Sequence, residues 1–421
     1  MGAFSTIAAA VSRTVSTQSH TTHFMTVQSD ICIVGNGVIG KVAALGCAQA
    51  GYSVTLLAPP ESGAAVAADG WDVRVYALNQ VARDLLSSLR VWNALDATRI
   101  APVDAMLIHG DGERQAGMLR FDAYGARVDA LAWIVEDRNL NQALDAAMQF
   151  APNVRIVSGR ARALHQGPER ASITLDNHEL LEAALVVGAD GSHSWVRGQC
   201  EIGLDYRPYH QQAVVANFEC EHPHRGVAAQ WFTSREGVIA LLPLPGKRVS
   251  LVWSAPDSLA EVLMREPLAM LAQRLSKLQS QKLGTLTPLL PESVKALPLA
   301  LIRPHAMTAP RVALVGDAAH VVHPLAGHGM NLGFADVAVL LRVMAGRGPG
   351  RDCGDARVLA QYARRRKEEV LAMLIATDGL ERLFAAEFEP LRVARNLGLN
   401  LVNHFPVIKR KLIGHALGRP I

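Results

Sequence analysis

Apolar positions along this chain alternate between two periods, and the switches mark its elements. Ile31–Val34 is a continuous apolar run of the kind that buries both faces of a strand. Val38, Val42, Leu45 and Ala48 then recur on one face of a helix closed by Gly51, and Tyr52–Leu57 supplies the next strand. Helices are predicted near Asn79–Leu89 and Arg138–Gln149, and strands over Val154–Val157, Ala171–Leu175 and Ala184–Ala189. Residues 101–135 read as short strands with turns at Gly110-Asp111-Gly112 and Tyr124-Gly125. From Tyr206 to Arg303 the pattern alternates over Ala213–Phe218, Ala228–Thr233, Val238–Pro243 and Val249–Trp253. That alternation predicts a mainly antiparallel sheet, with a helix near Ser258–Leu278. Val312–Val315 is a further short buried strand, and the pattern after residue 333 is helical to the end.

The chain has 421 residues, half of them hydrophobic and 19% charged, enough for two lobes with a large core. The elements place a Rossmann-type α/β domain in residues 25–100, 130–205 and 304–345. An inserted antiparallel substrate domain takes residues 101–129 and 206–303, and a helical region takes 346–421. A net charge of +4 with no basic stripe argues against nucleic acid as a partner. Cys32, Cys47, Cys200, Cys220 and Cys353 are odd in number and scattered. They imply a reducing compartment and neither a disulfide framework nor a zinc site. No run reaches the roughly 18 apolar residues that a membrane span needs. Residues 1–24 are Ser/Thr/Ala-rich, free of acids and carry a single arginine. They read as a disordered upstream extension ahead of Met25 rather than as a targeting signal.

Three stretches carry chemistry. The first is Gly35-Asn36-Gly37-Val38-Ile39-Gly40 between strand and helix, the dinucleotide fingerprint in its required context. Gly35 permits the tight turn, Gly37 admits a pyrophosphate, and Gly40 lets helix and strand pack closely. The second strand ends in Ala58 where an Asp or Glu normally holds a ribose, with Glu61 the nearest acid beyond it. Arg74, ahead of a helix, suits a pyrophosphate or a surface ion pair. The second stretch is Asp190-Gly191 at the end of a buried strand.

The third is Arg311–Val337. Gly316-Asp317 ends a strand where a carboxylate can accept hydrogen bonds from sugar hydroxyls. Pro324, Gly327, Gly329, Met330 and Asn331 then lead into a helix whose free N–H groups attract an anion or an electron-rich ring edge. His320, His323 and His328 lack a carboxylate or cysteine to complete a metal set and read as loop and helix-cap residues.

With these stretches in this order and spacing, residues 28–410 resemble the class A flavin-dependent aromatic monooxygenases of the para-hydroxybenzoate hydroxylase-like fold. Within them, the chain is most similar to the ubiquinone-biosynthesis hydroxylases. The resemblance implies FAD as cofactor, NADH or NADPH as co-substrate, and O2 activated as a flavin C4a-hydroperoxide that attacks the ring of a polyprenylated phenol. It implies that Gly35, Gly37 and Gly40 hold the pyrophosphate, that Arg74 lies near flavin and phosphates, and that Asp190-Gly191 serves FAD and NAD(P)H. Gly316-Asp317 then binds the ribityl chain, while Pro324, Gly327, Gly329, Met330 and Asn331 line the isoalloxazine ring. No single acid or base is expected to be essential.

His328 stands where the family has Gln and is the one candidate for a substrate contact. The resemblance leaves open another aromatic substrate, an isoprenoid reductase of the same fold, or a flavin-binding scaffold in a biosynthetic complex. A cytoplasmic location is expected. The C-terminal apolar positions and the basic 409–411 cluster suit either core packing or peripheral contact at the inner membrane face and a biosynthetic complex.

Overall fold

The computed structural model describes residues 26–60, 70–111, 117–278, 282–289, 294–385 and 396, with the side chains of Ala326, His328 and Ala385 excepted. The chain begins with β1 (Thr26–Val34), α1 (Val38–Gln49), β2 (Val54–Ala58), β3 (Val75–Leu78) and α2 (Gln80–Ser88). Next come β4 (Ile100–Val103), β5 (Ala105–His109), β6 (Met118–Asp122), α3 (Ala123–Ala126), β7 (Ala132–Glu136) and α4 (Asp137–Gln149). β8 (Val154–Ser158), β9 (Ala161–Gln166), β10 (Ala171–Leu175), β11 (Leu180–Gly188) and α5 (Trp195–Gln199) complete the first passage through the α/β lobe.

The inserted sheet follows as β12 (Leu204–Cys220), β13 (Val227–Thr233), β14 (Gly237–Leu244) and β15 (Arg248–Pro256). Two helices, α6 (Asp257–Arg265) and α7 (Leu268–Leu278), cover it, and β16 (Leu286–Pro288) and β17 (Lys295–Pro304) extend it. The chain returns through β18 (Thr308–Ala309) and β19 (Val312–Leu314) to α8 (His328–Ala345) and α9 (Ala356–Ala385).

The α/β sheet has the order β18-β19-β11-β1-β2-β8, with β10 and β9 added antiparallel beside β11. Its central strands run parallel and are buried on both faces. Ile31, Ile33, Leu56 and Val187 pack toward α1, α4 and α8. Cys32, Val34, Leu57 and Val186 pack toward α5 and β10. This double coverage is why β1 reads as an unbroken apolar run rather than an alternation.

The second sheet, β16-β12-β15-β14-β13-β5-β6 with β17 beside β12, packs its outer face under α6 and α7. Phe218 and Trp253 are fully buried there, each contributing about 3 kcal/mol of apolar burial. A three-stranded sheet, β3-β7-β4, lies between the lobes, so β4 stays with β7 although it falls in the stretch assigned from sequence to the substrate domain.

Two expectations change. The helix expected over Ser258–Leu278 is two helices, because Pro267 has no N–H to continue the first. Beyond residue 333 the helix is interrupted at residues 346–355, where Gly346, Gly348, Pro349, Gly350 and Gly354 separate α8 from α9. The expectations for residues 1–24 and for the end of the chain, including the 409–411 cluster, lie outside the described residues. Among the described residues no helix is long and apolar enough to cross a membrane.

Candidate active site

Strand register brings the three motifs together. Val34 pairs with Gly188 and Leu57, and Gly188 pairs with Leu314, all in parallel. Gly35, Asp190 and Gly316-Asp317 therefore leave the carboxyl ends of neighbouring strands on one edge, where open α/β sheets bind ligands. Gly35 has φ +117°, and a Cβ there would fall 2.3 Å from the Ala189 carbonyl oxygen. A Cβ on Gly40 would fall 1.9 Å from the Gly35 carbonyl oxygen, so this glycine is required by the approach of α1 to the turn. Gly37 differs, since a Cβ there meets nothing within 4 Å. It is the N-cap of α1 with no side-chain cap and no acid in the first turn, so the helix start faces open space with its N–H groups free.

Asp190 accepts a hydrogen bond from Val196 N at 3.0 Å through Oδ2, while Oδ1 is buried without a partner among the described residues. Buried Arg197 ties this motif to the third one, donating to Ser192 O at 2.7 Å and Ala318 O at 2.9 Å. Asp317 is exposed to solvent yet closely surrounded by protein, as a side chain on a cleft floor is. That enclosure raises its carboxyl above the ordinary range, against the opposing pull of His320 and Arg74. Arg74 is exposed, with its guanidinium 5.8 Å from the centroid of the Tyr76 ring. Its charge acts on Asp317, which places the two on the same side of the cleft.

α8 begins at His328, earlier than the run from Leu332 suggests, so Gly329, Met330 and Asn331 form its first turn. Its N-cap, Gly327, is left-handed (φ +69°), has no side-chain cap, and is followed by no acid in the first turn. A Cβ on Gly329 would meet nothing within 4 Å. This second uncapped helix start also opens on free space.

A family model described as an FAD binding domain matches residues 28–377. The chain belongs to this FAD-binding family, among the ubiquinone-biosynthesis hydroxylases. The 3-demethoxyubiquinol 3-hydroxylase of Escherichia coli is 36% identical over 394 residues, covering 93% of this chain and 98% of the relative. The ubiquinone hydroxylase UbiL of Rhodospirillum rubrum is 34% identical, covering 93% and 90%. In fold the chain is similar to p-nitrophenol 4-monooxygenase PnpA of Pseudomonas putida (TM-score 0.72, 19% identity, 94% and 100% covered). It is also similar to Klebsiella pneumoniae HpxO in complex with FAD and uric acid (TM-score 0.72, 18% identity, 93% and 97% covered).

FAD is the cofactor, and the residues present fit it. Two uncapped helix starts with open space over Gly37 and Gly329, and the Oδ1 of Asp190, offer donors and acceptors without partners among the described residues. One candidate side chain, that of Asn331, is held by protein partners. Asn331 is buried and donates to Ala77 O at 2.8 Å and Gly327 O at 3.2 Å, while accepting from Asn79 N at 3.0 Å. Met330 packs against the cofactor-lobe core. Asn331 acts as a clamp joining α8 to the Ala77–Asn79 turn. Gly316 (φ +61°) donates its N–H to Asp336 Oδ2 at 2.9 Å, which orients the turn carrying Asp317. Pro324 is partly buried at the start of the loop. Ala58 ends β2 as expected, whereas Glu61 and the side chain of His328 lie outside what the structure describes.

The sequence reading missed the support beneath this loop. Fully buried Asp336 accepts from His320 Nε2 at 2.7 Å, Arg366 Nε at 2.7 Å and Gly316 N. Burial alone would raise its carboxyl. The charges of His320 and Arg366, with the hydrogen bonds, outweigh that and hold it below the ordinary carboxylate range. Fully buried Glu136 pairs with Arg99 at 2.6 Å and accepts from Asp72 N, fixing the segment that presents Arg74. The remaining histidine, His323, donates from Nε2 to Gln211 Oε1 at 3.0 Å, and burial pushes its pKa down to about 4. Asp336 and Arg366 lie 30 residues apart, a separation with no periodic signal, and Arg366 stands inside the basic run Arg364-Arg365-Arg366-Lys367.

Proposed function

We propose that this protein hydroxylates the aromatic ring of a polyprenylated phenol in ubiquinone biosynthesis, with NADH or NADPH as reductant. One oxygen atom of O2 enters the ring and the other leaves as water. The observation that carries this reading is the juxtaposition of two surfaces. A glycine-lined, uncapped edge of the α/β lobe stands beside the inward face of the antiparallel sheet, whose middle row is largely apolar. The full-length similarity to hydroxylases named for ubiquinone intermediates supports the substrate class.

FAD, when bound, supplies the redox chemistry, accepting the reductant's hydride and activating O2. The chain's own residues bind, orient and exclude water. The α1 start at Gly37 holds a pyrophosphate by its N–H groups and positive dipole end, and Arg74 neutralises further phosphate charge. Asp317 accepts hydrogen bonds from ribityl hydroxyls, and the Asp336 network keeps its turn in place. The backbone N–H groups at the start of α8 stabilise negative charge on a ring edge without a titratable side chain. The sheet wall keeps water from the reacting atoms.

The test is the visible spectrum of the purified protein, then NAD(P)H oxidation with and without a short-chain prenylphenol under 18O2. A flavin spectrum, substrate-stimulated oxidation and one labelled oxygen in the product are expected. Bound flavin with no phenol-stimulated oxygen incorporation would sink the hydroxylase reading and favour a reductase or a scaffold.

A further inference from the structure

The middle row of the inserted sheet's inward face carries an amide that the site so far leaves unused. Pairing aligns Ile108, Gln230, Ala240, Val252 and Val215 in a single row across β5, β13, β14, β15 and β12. Cross-strand partners project from the same face, so this row presents one amide among four apolar side chains. The rows on either side are closed against the cofactor lobe. On one side Phe232 and Val238 pack with Leu325 of the loop that leads into α8. On the other, Ala228 and Leu242 pack with Ala77, and Asn217 donates to Asp72 O at 2.9 Å. A Cβ on Gly327 would fall 3.0 Å from Ala77 Cβ, so the loop runs from Leu325 to Gly327 alongside the middle row.

Gln230 is 3% exposed, and its amide makes no hydrogen bond to any described residue. Ala240, Val215 and Gln230 are buried from bulk solvent, yet they belong to no hydrophobic cluster of the core. The Gln230 amide is not one of the side-chain groups sealed from solvent without a partner, so it opens on the space the row faces, where water or a ligand oxygen completes its hydrogen bonding.

We propose that Gln230 determines substrate specificity. Its amide hydrogen-bonds an oxygen substituent of the aromatic ring, and the apolar remainder of the row packs against the ring itself. This rests on the hydroxylase reading above for the class of ligand. A side chain that acts on binding and ring orientation affects affinity and discrimination, and leaves reduction of bound FAD unaltered.

The experiment uses the FAD-loaded full chain, wild type and Gln230→Met, with Gln230→Glu as a second variant that keeps an acceptor. Met has nearly the volume of Gln and no hydrogen-bonding amide. A diprenylphenol and its methyl ether are titrated while the flavin absorbance is followed, and turnover is measured separately. In wild type the phenol binds more tightly than the ether by about tenfold, the value of one neutral hydrogen bond. In Gln230→Met that preference disappears through weaker phenol binding, with FAD content and substrate-free flavin reduction unchanged. Gln230→Glu retains a preference for the phenol.

Equal discrimination in wild type and Gln230→Met would overturn the inference. If Gln230→Met loses FAD, Gln230→Glu decides alone: indifference between phenol and ether then overturns it. Discriminating binding by wild type without any turnover would overturn the hydroxylase reading and leave the role of Gln230 standing.

Discussion

Protonating His323 in the folded protein places a charge where no solvent reaches and where Nδ1 faces no acceptor among the described residues. Its pKa in the fold is about 4, against 6.5 for the ordinary imidazole. As pH falls through 6.5, the unfolded chain takes up this proton and the folded chain does not until about 4. The folded-state value of this base is depressed, so stability is lost through that window and the loss is complete below it. At about 1.4 kcal/mol for each pH unit, the gap is worth about 3 kcal/mol, of which about 2 kcal/mol accrues by pH 5.

His323→Asn removes the titration and keeps a donor for Gln211 Oε1. It is less stable than wild type at neutral pH because the smaller side chain leaves a gap. The measured quantity is the difference in urea unfolding free energy between wild type and variant, followed from pH 7 to about pH 5 with FAD bound. Glu381, raised by burial and linked to His323 through Gln211, titrates in the opposite sense, but both proteins contain it and it cancels to first order. The difference should shrink by about 2 kcal/mol toward acid. Parallel pH dependences of the two proteins would refute the burial argument for His323.

Further outcomes follow from the same contacts. Gly37→Val places its side chain in open space; it should leave thermal stability within about 1 kcal/mol of wild type and weaken FAD binding at least about tenfold, read by flavin titration. Gly40→Val is expected to do the reverse and lower the Tm of apoprotein and holoprotein alike, because its Cβ meets the Gly35 carbonyl oxygen. Asp336→Asn leaves buried Arg366 with only the exposed Glu369 as counter-charge and should cost about 3 kcal/mol in unfolding free energy; a loss under about 1 kcal/mol would mean that the network does not support the loop. Asn331→Ala strands the buried Asn79 N–H and should cost about 1–3 kcal/mol, and hydrogen exchange should show faster opening of the Ala77–Asn79 turn. Unchanged exchange there would show that the clamp is dispensable.

Much of the α/β lobe was legible because its signals are local. A strand buried on both faces must be apolar throughout, a left-handed turn at Gly35 requires glycine, and a helix of 12 residues repeats its apolar face at a fixed spacing. The same locality explains two errors. Apolar periodicity continues across Pro267, although the backbone cannot continue a helix there, and a helical pattern resumes beyond the glycines of 346–355, which themselves carry none. The start of α8 was read late because glycine-rich residues carry no hydrophobic signal, yet an uncapped first turn made of them is what leaves the helix open to a ligand.

Taken alone, the sequence determined the order of elements and the three glycine- and aspartate-bearing turns, since each depends on the conformational preferences of a few adjacent residues. Only the tertiary structure decided what those turns face and what holds them. Parallel register brought Gly35, Asp190 and Asp317 to one edge, the fold buried Arg366 against Asp336, and cross-strand alignment set Gln230 in an apolar row. These are contacts between residues distant in the chain, where burial and charge compensation depend on surroundings that no window of sequence contains.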